Sequence, residues 1–216
     1  MTEGGTEGPG WAERIQDEAA LRALYPRPTG IAAHKHVDRL DGHCREFIGH
    51  ATFAVIASND ARGHCDASPR GGPPGFIQVY DDLHLLIPDA PGNKRVDSFQ
   101  NLISNPRLGL VLFVPRYGEV LRLEGQAWLT RDAALRERCR MEGREPIAVL
   151  VLRVEDAFLH CAKAVRRSGL WQPETWREPD GLASAARIWR DHTRGACGPE
   201  GAIQDLVDES YRKRMW

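Results

Sequence analysis

The sequence predicts a mainly β protein: an antiparallel barrel of six or so strands, with helices flanking it at both ends. Three observations carry this. Short apolar or β-branched runs recur between residues 52 and 160, separated by turn material such as NDARG, GGPPG and PRYGE. Few helical stretches lie between those runs, whereas a parallel, doubly wound sheet needs a helix at nearly every crossover. Apolar spacing at the helical period is found mainly towards the two ends of the chain.

WAERIQDEAALRALY (11–25) has helical spacing and is stopped by PRPTG. In VDRLDGHCREFIGHA (37–51), Val37, Leu40, Cys44, Phe47 and Ile48 form one apolar stripe, which predicts a second helix. Three strands follow, TFAVIAS (52–58), FIQVY (76–80) and LHLLI (83–87). A helix is then expected from Asn93, a capping-type residue, through Val96, Phe99, Leu102 and Ile103 to the stop signal Asn105-Pro106. RLGLVLFV (107–114) and EVLRLEGQAWLT (119–130) read as long strands, and Gly125 within the second predicts a bulge or a close backbone approach. RDAALRERCRMEG reads as a helix and IAVLVLRVEDAFLH (147–160) as the last long strand. The tail holds two helical candidates, LASAARIWRDHTRG with Asp180 as N-cap and Ile188 and Trp189 inward, and GAIQDLVDESYRKRMW.

At 216 residues the chain suits one compact domain with extra terminal helices: a tail and helix over 1–34, a barrel over 35–175, and C-terminal helices packed on it over 176–216. With 29 basic against 30 acidic residues, the formal charge of -1 gives no overall footprint for nucleic acid or an anionic membrane. Anion binding has to be local. The Gly-rich, acidic start MTEGGTEGPGW is unlike a secretion or transit signal, and no apolar run reaches the roughly 18 to 20 residues that span a bilayer, so a cytoplasmic protein is expected. Five scattered cysteines without a CxxC argue against a disulfide framework and read as buried free thiols. Three follow a histidine (His43-Cys44, His64-Cys65, His160-Cys161), yet neighbours on a strand point to opposite faces, so no metal site is expected.

The helix expected from Asn93 opens with Lys94 and Arg95. Cations at a helix N-terminus oppose the dipole by roughly 0.3 to 1 kcal/mol each. Two readings are open: an anion such as a phosphate bound there, with Ser98 adding a hydroxyl, or side chains turned to solvent or paired with Asp89 and Asp97. DASPRGGPPGF supplies a second basic motif. Ser68 and Arg70 share one face of an extended chain, Gly71 and Gly72 admit a close approach, and Pro73-Pro74 stiffens the turn. With NKR some twenty residues on, this composes a two-sided phosphate clamp.

DASPRGGPPGF, LIPDAPGNKRVDSFQNLISNPRLGLVLFVP, GEVLRLEGQAWL and HCAKAVRRSGLW together resemble the FMN-binding split barrels of the pyridoxamine 5'-phosphate oxidase-like superfamily, over about residues 35 to 175. The nearest resemblance is to a flavin-binding subfamily with Ser-Pro-Arg/Lys-Gly and His-Cys-x-Lys-Ala signatures, not to the true vitamin B6 oxidase. It implies a six-stranded split β-barrel and a homodimer with two FMN molecules at the subunit interface. On that resemblance Ser68 and Arg70 face the FMN phosphate or ribityl chain, and the backbone of Ile87 and Pro88 runs along the isoalloxazine edge. Asn93, Lys94 and Arg95 hold the phosphate, while Glu119 and Arg122 approach the flavin of the opposite subunit. Lys163, Arg167, Ser168 and Trp171 face flavin or substrate; the residues alone leave open a solvated turn with an anchoring Trp.

The implied activity is FMN-dependent oxidoreduction of a small flat substrate. Vitamin B6 oxidation is not expected, because LWQPETW and two helices stand where that enzyme has a Trp-, Arg- and His-bearing closing segment. Dinucleotide-fold, Walker, serine-hydrolase and HExxH signatures are absent from the sequence. Two alternatives remain in view: a flavin-binding sensor or carrier without turnover, and a haem-binding split barrel with His160-Cys161 as its candidate ligand pair.

Overall fold

The computed structural model describes residues 14–90, 92 and 94–213, and the chain divides into two units, residues 1–35 and residues 36–216. The first holds α1 (Glu18–Leu24) and α2 (Ile31–His34). Asp17 caps α1 by accepting the Ala20 N–H at 2.8 Å, and so satisfies one of the amides a helix start leaves without a partner.

The second unit is built on one sheet of seven antiparallel strands: β1 (Phe53–Asn59), β2 (Cys65–Gly71), β3 (Gln78–Val79), β4 (His84–Pro88), β5 (Arg107–Phe113), β6 (Val120–Thr130) and β7 (Val149–His160). Their order is β2-β1-β5-β6-β7-β4-β3. Strand alternation builds the core: Ala54 and Ile56 of β1, Leu110 and Leu112 of β5, and Leu121 and Leu123 of β6 are all buried. Leu85 and Ile87 of β4, Leu150 and Leu152 of β7, and Leu40 and Ile48 complete it. Ile48 comes from α3 (Gly42–His50), which Asp41 caps through the Cys44 N–H.

β2 and β4 are separated by four strands, yet Arg70 of β2 and Asp89, just beyond β4, lie close enough to shift each other's ionisation. The sheet is therefore strongly curled, as a split barrel requires. It has seven strands where six are expected, because the extended chain around Ser68 and Arg70 pairs with β1 as a full strand, β2, while the strand expected over 76–80 shortens to β3; its hydrogen-bonded order has two ends. The remaining elements are α4 (Asp97–Ser104), α5 (Ala133–Arg138), α6 (Lys163–Ser168), α7 (Ala185–His192) and α8 (Glu200–Lys213). Ser184 caps α7, not Asp180, and also donates to Glu200 of α8 at 2.7 Å.

Several local expectations need correction. Residues 37–41 are not helical; Val37 instead exchanges backbone hydrogen bonds with Ala157, extending the sheet edge. Trp189 is 43% exposed while Ala186 is the buried residue of α7, so that helix packs through its small side chain. All five cysteines are free, but only Cys44 and Cys139 are buried, and burial pushes each of these thiols up to about 11.

The bulge expected at Gly125 is present: the β6–β7 register shifts between Glu124 and Gly125. A Cβ at Gly125 would stand 1.9 Å from the Arg153 carbonyl oxygen, backbone that cannot move without breaking the ladder. Gly125→Ala is expected to cost at least about 1–3 kcal/mol in chemical denaturation, whereas Gly109→Ala, whose Cβ would meet Ala57 at an ordinary 3.8 Å, should change little.

Candidate functional site

On β2, Asp66, Ser68 and Arg70 alternate with exposed Cys65, Ala67 and Pro69, so all three point to the side on which α4 packs. α4 answers with polar groups. The Ser98 hydroxyl donates to the Asp66 carboxylate, and Asn101 Nδ2 donates to Ser58 Oγ of β1 at 3.1 Å. Ser58 and Ser98, 5% and 4% exposed, are the buried polar residues among those described, and both lie in this seam. Each has a partner, as a buried hydroxyl needs.

Arg70 is the charged member of the seam. Its Nη1 donates to Ser68 Oγ at 2.9 Å and to the Pro69 carbonyl at 3.0 Å, and its guanidinium carbon lies 5.7 Å from the centre of the Phe99 ring of α4. Among the described residues it forms no ion pair. Burial pulls its pKa below the ordinary guanidinium value, opposed at longer range by Asp89 and Asp66. Burial likewise pushes Asp89 above the usual carboxylate range, with Arg70 opposing. A half-buried cation that is neutralised only at a distance can accept an anion, which a fully paired arginine cannot.

The two cations on the approach to α4 lie before the helix, not in its first turn. Lys94 has a left-handed φ of 62°, which interrupts helical propagation, and α4 begins at Asp97 after an N-cap, Val96, that makes no side-chain capping bond. Arg95 pairs with Asp97 at 2.8 Å, so that part of the ion-pairing alternative holds. Asn93 lies outside the described residues. Since Ser98 gives its proton to Asp66, what it has left for an anion is its backbone N–H. Gly72 has an internal reason to be glycine, because a Cβ there would meet Phe76 Cβ at 2.6 Å.

Ile87 and Pro88 are buried in β4 and pair with Leu150 and Val149 of β7, while β3 covers only Leu85 and Leu86. Beyond Leu86, β4 thus has, among the described residues, a strand neighbour on one edge only, and its other edge is backbone. The other expected residues form a second group. Glu119 is half-buried just before β6; Lys163 and Arg167 are exposed on α6; the Ser168 hydroxyl donates back to the Val165 carbonyl. Trp171 donates its indole N–H to the Tyr117 carbonyl at 2.8 Å, and a Cβ on Gly118 would meet Ala162 at 2.8 Å. The turn before β6 is thereby seated on the start of α6.

Arg122 belongs to the outer face. It is in register with Val111, then Val55, then Pro69, the side of the sheet opposite Arg70. Its guanidinium stacks on Phe158 at 5.1 Å, and Phe158 in turn packs against His36 at 4.3 Å. His36 Nδ1 lies 2.9 Å from both Asp156 oxygens. The sequence reading missed this histidine pair, and it missed Asp66, Asp89 and Phe99 as neighbours of Arg70. Asp66 was open to detection, two and four residues before Ser68 and Arg70 on the same strand face.

A family profile described as pyridoxamine 5'-phosphate oxidase matches residues 40–161, more than half of the chain. The chain belongs to the pyridoxamine 5'-phosphate oxidase family. The match takes in β1 to β7 and with them the whole polar seam. Similar solved structures include a Lactobacillus delbrueckii protein assigned by name to the pyridoxamine 5'-phosphate oxidases, 19% identical, covering 57% of this chain and 98% of its own, with a TM-score of 0.46. HupZ of Group A Streptococcus is 18% identical over 56% of this chain and 97% of its own, with a TM-score of 0.45. The FAD binding protein of Mycobacterium smegmatis is 14% identical over 58% and 99%, with a TM-score of 0.40. No curated protein matches the sequence significantly. Among the described residues no helix is long and apolar enough to cross a membrane, and no three His, Cys, Asp or Glu side chains are grouped to hold a metal.

The raised Asp89 carboxyl gives a pH signature. Between the ordinary carboxylate value and the raised one, the folded chain keeps a proton that the unfolded chain has released, so this group's stability contribution is lost as pH rises through that window. Asp89→Asn should therefore flatten the decline in unfolding free energy above about pH 4, as read by denaturant titration. Identical slopes in both proteins would remove Asp89 as the cause.

Proposed function

We propose that this chain binds FMN as a homodimer and works as an FMN-dependent oxidoreductase on a small flat substrate, in the cytoplasm. The observation that carries the reading is Arg70, a half-buried guanidinium preset by Ser68 and Phe99 and lacking an ion pair among the described residues, at the seam leading to the uncapped start of α4. A phosphate there would receive Arg70, Lys94, Arg95 and the first amides of α4; the last of these donors are the ones a helix leaves unsatisfied. Asn93, which precedes them, is assigned to the same phosphate.

The remaining assignments follow the fold. The other backbone edge of β4 at Ile87 and Pro88, without a strand neighbour among the described residues, offers a flat wall for a ring, and Ser68 lies beside Arg70 towards the ribityl chain. Arg122 faces away from Arg70 across the sheet, so one subunit does not present both to the same flavin; a second copy supplying Arg122 and Glu119 resolves this. Lys163, Arg167, Ser168 and Trp171, on and beside the α6 segment seated against that turn, go with the same contribution. When bound, FMN supplies hydride and single-electron transfer, and the protein's part is to anchor, orient and exclude water.

Purified protein should bind FMN with a flavin absorbance spectrum, and nicotinamide or deazaflavin donors should bleach it anaerobically. Arg70→Ala combined with Lys94→Ala should weaken FMN binding at least about 100-fold, since each charge-assisted contact contributes about 1.5–3 kcal/mol. Unchanged affinity in the double variant would refute the phosphate assignment, and binding without bleaching by any donor would favour a carrier or sensor.

A further inference from the structure

A cleft of about 340 Å³ lies on the face of the sheet away from the main core, between β6, β7, β4 and α5, and the flavin reading leaves it unused. Its floor is apolar: Leu86 and Val151 are buried there with Leu135 of α5 in a small cluster separate from the barrel core. Its walls are aromatic. Trp128 and Tyr80 keep 44% and 51% of their surface exposed, and His84 stands edge-on to Trp128 with ring centres 6.2 Å apart.

The polar groups at the rim are mostly acceptors. Asp132 uses one carboxylate oxygen to cap α5 through the Leu135 N–H, and its other oxygen takes no hydrogen bond from a described residue. Thr130 Oγ1 accepts from the Asp132 N–H, which leaves its hydroxyl proton to orient. Asp81 accepts from the Leu83 and His84 amides and holds His84 Nδ1 at 2.9 Å from both of its oxygens. The ring Nε2 is thus the nitrogen of His84 not used in that pair.

Ring faces are electron-rich and attract cations, and the chain already uses this property locally, since the Arg138 guanidinium stacks on Tyr80 at 5.2 Å. The carboxylates Asp81 and Asp132 line the cleft, whereas among the described residues no Lys or Arg does. A space of this size, with an apolar floor, two aromatic walls and a few converging polar atoms, has the make-up of a small-molecule site.

We propose that this cleft binds a small flat aromatic cation, an amidinium- or ammonium-bearing ring, whose ring packs on Trp128 and whose charge meets Asp132. The site uses none of the residues assigned to the flavin. The test is an NMR titration of the full chain, with excess FMN present, using benzamidine as probe and benzoate as its anionic counterpart. The readouts are the Trp128 indole N–H and the methyl groups of Leu86, Leu135 and Val151. Saturable shifts confined to these signals are expected with benzamidine, with benzoate at least about tenfold weaker. Trp128→Leu should weaken binding about fivefold or more by the methyl signals, and Asp132→Asn should bring benzamidine and benzoate closer in affinity. If Asp132→Asn frays α5, Asp132→Ser, which keeps a capping oxygen without the charge, makes the same comparison. No saturable shift, equal binding of both probes, or unchanged affinity in Trp128→Leu would overturn the proposal.

Discussion

The site depends on a polar seam between α4 and the β1–β2 hairpin. Asp66 with Ser98 and Ser58 with Asn101 are joined across that seam, and the two serines are buried. A buried hydroxyl is tolerated only when bonded, so the pairs fix both the position and the rotation of α4 over a strand at the end of the sheet order. Arg70 is held in the same seam, by Ser68 on its own strand and Phe99 on the helix. Loosening either pair would leave the guanidinium without its support, and the uncapped start of α4 without its place beside it.

Curling the sheet supplies the second requirement. β2 and the end of β4 are remote in the hydrogen-bonded order, yet Asp89 reaches the electrostatic range of Arg70. The bulge at Gly125 helps to make that curvature, since an unpaired residue kinks and twists the long β6–β7 pair where it occurs. Curling also sorts the charged side chains by face. Arg70 turns to α4, and Arg122, two residues before the bulge-flanking Glu124, turns outward onto Phe158. On the proposed reading the first face anchors a phosphate and the second serves the neighbouring subunit.

How much of this was legible in the sequence follows from the range of the forces involved. Period-2 alternation is local, and it placed Ser68 and Arg70 on one face correctly. The long strands and the bulge at Gly125 were equally readable. Helical stripes were less so: Ile103 shares the apolar spacing of α4 but is 82% exposed, because spacing does not say how wide the buried face is. The left-handed Lys94 was hidden because that conformation is uncommon in a residue with a Cβ, and its effect was to move the helix start to Asp97. The bond from Ser98 to Asp66 joins residues 32 apart and leaves no local pattern, and the strand read over 76–80 pairs only at Gln78 and Val79, since how much of an apolar run finds a partner is set by the rest of the sheet.

The central claim is that Arg70 and the start of α4 share one phosphate. A crystal structure of the protein with FMN tests it most directly. The account predicts a phosphate within hydrogen-bond distance of the Arg70 guanidinium and of the first α4 amides, with the Asp66–Ser98 pair undisturbed. FMN bound with its phosphate elsewhere, and Arg70 still turned to Ser68 and Pro69 alone, would contradict it.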